Sequence, residues 1–225
     1  DWKFFIKFRG NYRKLLALIL GQGGWLGEHG RMGHPILDKE YFALQKMYQL
    51  HPISSTHWNY GKVFPANQPH RRAVQLLAVV VSANWGLSKL DVTIDLEDLK
   101  TLIVGDQEII AVANQIYGTQ FSALAEESIR GVLTNAIFPL IWFRAKWLKK
   151  QELSESAIDH YQQLPPEMNK TIKTWKAWGV EPVDRLESQG LLQLYRTLCS
   201  RKKCLSCLIG LQTLKPSHNR HETNL

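Results

Sequence analysis

Three cysteines crowd the end of the chain in Leu198-Cys199-Ser200-Arg201-Lys202-Lys203-Cys204-Leu205-Ser206-Cys207-Leu208-Ile209-Gly210, and they are the only cysteines present. Two residues separate Cys204 from Cys207, a spacing that lets the backbone turn both sulfurs toward one point. That is what a tetrahedral zinc ion or an iron–sulfur cluster requires. Cys199 lies about one helical turn upstream and can supply a third ligand. No fourth cysteine exists, but His218 and His221 follow within reach of a short loop. A three-cysteine, one-histidine site is one reading. Thiols that are simply packed or solvated, with no metal, is the other. A disulfide scaffold is disfavoured by the odd count and by a composition unlike that of a small secreted domain.

Positive charge is the second chemical theme. Arg201, Lys202 and Lys203 sit between the first two cysteines, and His70, Arg71 and Arg72 follow Pro69 at the expected start of a helix. Cations at a helix N-terminus oppose its dipole, so three of them in the first turn call for a compensating anion. A phosphate or carboxylate ligand can provide it, and so can an acidic side chain elsewhere in the chain. The whole sequence has a formal net charge of +8 and a pI near 9.4. Such a balance favours polyanionic partners, DNA or RNA, through counterion release, although a basic surface also serves plain solubility.

Enzymatic motifs are weaker. Asn67, His70, Arg71, Glu167, Asn169, Glu187 and Gln189 are polar candidates for a site, yet they include no recognisable pair of nucleophile and base. Asp98-Leu99-Lys100 matches the end of a D/E-x-K nuclease signature. That chemistry needs a strand and a second carboxylate to hold Mg²⁺, whereas this segment reads as a helix capped by Asp95. Its acids, between 91 and 98, read as a solvated helix start.

The elements that must position these residues all read as helices. Leu15, Leu16, Leu18, Ile19 and Leu20 mark a buried helix that stops in Gly21-Gln22-Gly23-Gly24. The glycines follow a helix rather than precede one, which opposes a phosphate loop. Asp38 is expected to cap a helix to about Leu50, and Asn67 or Gln68 to cap the helix that Pro69 opens. A long helix over Ser122 to Trp147 is expected to bend at Pro139. Further helices are expected over Ser154 to Leu164, from Pro166 to Trp178, and from about Pro182 to Cys199, where Cys199 is delivered at the helix end.

With no internal repeat and no alternating run long enough for a sheet, the fold class is all-α, a multi-helix globular bundle with a C-terminal cysteine-containing turn. At 225 residues and 44% hydrophobic content the chain can bury a core without disulfides. The expected organisation is a single helical domain over 1–210 and a polar, mobile tail over 211–225. No run of eighteen apolar residues marks a membrane span. Asp1 in place of methionine, amid sequence that reads as structured, is expected of a fragment of a longer protein. Without a signal peptide the default location is cytoplasmic.

Taken in order, Leu20-Gly21-Gln22-Gly23-Gly24-Trp25-Leu26, Glu40-Tyr41, Pro65-Ala66-Asn67-Gln68-Pro69-His70-Arg71-Arg72, Asn135-Ala136-Ile137-Phe138-Pro139, Glu167-Met168-Asn169, Ser188-Gln189-Gly190-Leu191 and the cysteine run ending at Gly210 resemble an uncharacterised bacterial family, domain of unknown function twenty-eight fifty-one. Its members are about twice as long, and their N-terminal half looks like a PD-(D/E)xK nuclease core. The resemblance implies that this chain is the helical C-terminal half, and that the nuclease carboxylates and lysine have no counterpart in it. Phe64 and Leu16 stand where the family usually has an arginine and an acidic residue, so any site built on those charges is impaired here. The function expected is a nucleic-acid-binding module beside a nuclease-like half. The alternative is a protein-interaction module that packs on that half.

Overall fold

The computed structural model describes residues 6–61, 67–83, 95–118 and 120–214. Among the described residues there are helices and turns and no strand, as the all-α reading expects. The chain divides into two compact units, Asp1–Ile137 and Phe138–Leu225, where one domain over 1–210 was expected from the sequence.

Six α-helices build the described part of the first unit: α1 (Tyr12–Gln22), α2 (Pro35–Tyr48), α3 (Pro69–Ser82), α4 (Leu96–Val104), α5 (Gln107–Tyr117) and α6 (Glu126–Val132). α1 is the hub, packed against α2, α3 and α5. Its Leu15, Leu16 and Leu20 are wholly buried, and each such side chain contributes about 2 kcal/mol relative to exposure. Asn11 caps α1 by accepting from Lys14 N, and Asp106 caps α5 by accepting from Glu108 N and Ile109 N. Asp95 caps α4, as expected from the sequence.

Three expectations need correction. Asp38 is not the cap of α2. The helix opens one turn earlier, with His34 at the N-cap and Pro35 just inside, and Asp38 instead accepts the Gly27 N–H at 2.9 Å. The single helix bent at Pro139 is α6, then a π turn over Leu133–Ile137, then α7 (Phe138–Trp147). Proline has no N–H to give and its ring crowds the preceding carbonyl, so the wider turn absorbs the lost bond. The helix expected from Pro166 begins only at Lys170, because Asn169 caps it by accepting from Ile172 N.

The second unit continues from α7 through α8 (Gln151–Gln163), α9 (Lys170–Ala177), α10 (Arg185–Leu194), a π turn (Tyr195–Cys199), a 3-10 turn (Cys204–Ser206) and α11 (Leu208–Leu214). α11 occupies the start of the segment expected to be tail, and the rest of that tail lies outside the described residues. Ile172, Trp175 and Leu192 form a small core between α9 and α10, with Cys199 packed against it.

Candidate functional site

The cationic residues at the start of α3 sit in a cage built by two pinned loops. One runs from the end of α1 to α2 and carries Trp25 and Arg31. Met32 N–H bonds to the Trp25 carbonyl at 2.8 Å, and the Tyr117 hydroxyl donates to the Met32 carbonyl at 2.6 Å, so Arg31 projects from a fixed turn. The other loop follows α2 and carries Trp58 and Tyr60. It is tied to the end of α1 by Ile53 N–H on the Gln22 carbonyl and by Trp58 Nε1 on the Gly23 carbonyl, at 2.8 and 2.7 Å. Gly24, at φ +71°, is what allows that seat, since a Cβ there would lie 2.1 Å from the Ile53 carbonyl oxygen.

Aromatic rings line the cage. Trp25 stacks on Trp58 with centroids 4.8 Å apart, and His70 lies 6.3 Å from Trp25 and 6.2 Å from Tyr60. The Arg31 guanidinium sits over the Tyr60 ring at 4.0 Å. His70 is only 4% exposed, and its imidazole is pushed down to about 4, by burial first and then by the charges of Arg71 and Arg31. At neutral pH it is therefore uncharged. Of the three cations expected in the first turn of α3, two are cations.

Arg72 is held by neutral partners: it donates to Gln75 Oε1 at 3.0 Å and to Asn67 Oδ1. Gln75 in turn donates to the Ser122 carbonyl. Among the described residues no carboxylate pairs with Arg31, Arg71 or Arg72. Four polar atoms here are buried without a hydrogen-bond partner: Trp25 Nε1, the Tyr60 hydroxyl, His70 Nδ1 and Arg71 Nε. Sequence reasoning found His70, Arg71, Arg72 and Asn67 and missed Arg31, Trp25 and Tyr60, which reach the cluster from separate loops.

In the second unit Glu167, Asn169 and Gln189 do come together, around a residue the sequence reading passed over. Arg185 is 1% exposed, and its Nη1 lies 3.5 Å from Glu167 Oε1. Gln189 Nε2 donates to the same carboxylate oxygen and Asn169 Nδ2 to the other, at 2.8 Å for the latter. Ser188 accepts the Glu167 N–H and donates to the Arg185 carbonyl. Glu187 is spent on capping α10, where it accepts the Val183 N–H. The set centres on the Glu167–Arg185 ion pair, and Asn67 and His70 belong to the other unit.

The cysteine turn is held by its backbone. Lys202 N–H bonds to the Cys199 carbonyl, Lys203 N–H to the Leu198 carbonyl and Cys207 N–H to the Cys204 carbonyl. Gly210 rests against Cys204, whose carbonyl oxygen would be 2.3 Å from an added Cβ. Arg201, Lys202 and Lys203 are exposed on this turn. All three cysteines are free thiols, and they line one cleft of about 150 Å³ with Trp175, Leu198 and Lys203. Burial, then the neighbouring Cys207 and Cys204, push the Cys199 thiol up. Among the described residues, however, no three His, Cys, Asp or Glu side chains form a group that could hold a metal ion. His218 and His221 lie outside the described residues, and those that are described do not by themselves complete a zinc or iron–sulfur site.

Asp98-Leu99-Lys100 lies within α4, with Leu99 buried and Lys100 paired to Glu97 at 2.6 Å. It is helix surface rather than a strand-borne metal site. Among the described residues, no helix is long and apolar enough to cross a membrane.

An all-helical chain with an arginine-rich aromatic cage at one helix start is the class that fold and site define. The chain belongs to the family described as a protein of unknown function (DUF2851), whose family model matches residues 1–170. That span takes in the whole first unit and reaches Lys170. It stops short of Ser188–Leu191 and of the cysteine turn. Comparison with curated proteins gives no match, and neither does comparison with solved structures.

Proposed function

We propose that this chain is a nucleic-acid-binding helical module that works beside a nuclease-like half of the kind its longer relatives are taken to carry. The observation that supports this reading is the cluster of Arg31, Arg71 and Arg72 around the start of α3, with no carboxylate partner among the described residues. Arg71 and Arg72 are half-buried, and charge held there without a counter-ion is a cost to the fold that a bound anion offsets. The exposed Arg201, Lys202 and Lys203 add a second cationic surface in the other unit. Neither set includes a nucleophile and base, so the chain's own share of the work is to hold the strand rather than cut it.

Titration of a fluorescent DNA or RNA oligonucleotide with the 225-residue chain, repeated across salt concentrations, tests this. The expected result is binding at low salt whose log Kobs falls linearly with log salt, by about 0.7 to 0.9 per phosphate neutralised. No binding at low salt overturns the reading.

One observation favours the second reading. On α7, Trp142, Phe143 and Trp147 are 43%, 67% and 77% exposed, a run of large apolar side chains of the kind that marks an interaction surface. Under that reading the module packs on the nuclease-like half and its charge serves solubility.

A further inference from the structure

Resting on the nucleic-acid reading, we infer that the cage at the start of α3 is a pocket for the terminal phosphate of a strand, a phosphomonoester, rather than for a phosphodiester along its length. Three observations carry this. The first is the donor inventory. Trp25 Nε1, Arg71 Nε and the Tyr60 hydroxyl are buried without partners, and each carries a hydrogen to give. His70 Nδ1, on a side chain 96% buried between the Trp25 and Tyr60 rings, is likewise unpartnered, and so can either give or accept. What is missing from such a cage is a compact group rich in acceptor lone pairs. A base edge or an amine does not answer that need, and an oxyanion does.

The second observation is charge. Arg31, Arg71 and Arg72 bring three guanidinium groups to this end of α3, and no side chain caps its N-terminus at Gln68. The helix adds its own partial positive charge there. A phosphodiester offers one negative charge and two free oxygens. A terminal phosphate offers about −1.5 to −2 and three free oxygens.

The third is enclosure. Phosphodiesters along a strand are read by exposed, extended cations, as Arg201 to Lys203 are in the second unit. Here Trp25 and His70 are buried and Arg71, Arg72, Trp58 and Tyr60 are half-buried around them, an arrangement better suited to a strand end than to a continuous backbone. The aromatic rings also offer a stacking face to the terminal base.

The test compares oligonucleotides of one sequence carrying a 5′-phosphate, a 3′-phosphate or hydroxyls at both ends, at fixed salt. One charge-assisted hydrogen bond is worth about tenfold, so a phosphorylated end is expected to bind at least about tenfold tighter than the hydroxyl form. Arg71→Gln and Tyr60→Phe are expected to abolish that preference, the phosphorylated strands losing more affinity than the hydroxyl form. Circular dichroism melts of both variants confirm that they fold. Equal affinity for all three oligonucleotides overturns this inference and leaves the nucleic-acid reading standing, whereas no binding of any of them overturns both. Inorganic phosphate at equal concentration is the remaining arm. If it displaces the phosphorylated strand as well as an unlabelled phosphorylated strand does, the pocket takes free phosphate and the strand-end assignment falls.

Discussion

The two units each bury an arginine-centred polar cluster, and they resolve its charge in opposite ways. Around Arg185 the counter-charge comes from within: Glu167 supplies it, Asn169 and Gln189 donate to that carboxylate, and Ser188 bonds the backbone of both. Around Arg71 the neighbours are rings and other cations, and among the described residues no carboxylate pairs with Arg31, Arg71 or Arg72. A charge answered from within specifies a fold, while one left without a counter-charge points to a ligand. The contrast separates polar candidates that the sequence made look alike.

The largest effect that sharpens this contrast is on stability. Glu167→Gln keeps the shape and removes the charge that faces a fully buried guanidinium. It is expected to destabilise the second unit by about 2 to 3 kcal/mol, read by denaturant titration. Arg71→Gln, by contrast, removes a charge that has no counterpart and is expected to change stability by no more than about 0.5 kcal/mol. If the two variants lose similar stability, both clusters are structural and the distinction fails.

Gly24→Ala comes next. Both its left-handed backbone and the Ile53 carbonyl 2.1 Å from the new methyl oppose it, and a backbone oxygen is not a neighbour that swings aside. A loss of about 2 kcal/mol is expected. The loop that moves is the one carrying Trp58 and Tyr60, so affinity for oligonucleotides is expected to fall as well, which Glu167→Gln does not cause. Retained affinity in a folded Gly24→Ala protein would show that the cage does not depend on this seat.

What the sequence made legible was whatever is encoded within a few residues. Pro69 opening α3, Asp95 capping α4 and the glycines closing α1 are local chemistry, and they stand where the spacing puts them. Asp38 was misread because an acidic residue in a first turn looks like a cap, whereas its carboxylate is drawn to an amide eleven residues upstream. Arg185 carried no signal in the sequence, since nothing in Asp184-Arg185-Leu186-Glu187 announces that Glu167 will meet it. Arg31 and Tyr60 were invisible as site residues for the same reason. Each lies in a loop whose position is set by carbonyls and tryptophans far away in sequence, although the glycines flanking that first loop and the Asn59 turn before Gly61 were signals of fixed backbone.

The smallest effect is a pH dependence, and it probes the Arg71 cluster from within. His70 is held at about 4 in the folded protein, by burial and then by Arg71 and Arg31, against an ordinary 6.5 in the unfolded chain. Above pH 6.5 both states carry a neutral ring and the group contributes no slope. As pH falls from 6.5 to 4 the unfolded chain takes up a proton that the native ring resists, so stability is lost across that window and levels off below it. The full difference corresponds to on the order of 2 kcal/mol, once the partial solvent exposure of the two arginines is allowed for. Chemical denaturation at pH 7 and pH 4.5 measures it, with His70→Gln expected to flatten the difference. An anion bound in the cage reverses the field that Arg31 and Arg71 exert, lifts the imidazole toward its ordinary value and narrows the window. A 5′-phosphorylated oligonucleotide is therefore expected to reduce the acid-induced loss more than its hydroxyl counterpart does, through a group that neither oligonucleotide alters when the protein carries glutamine at position 70.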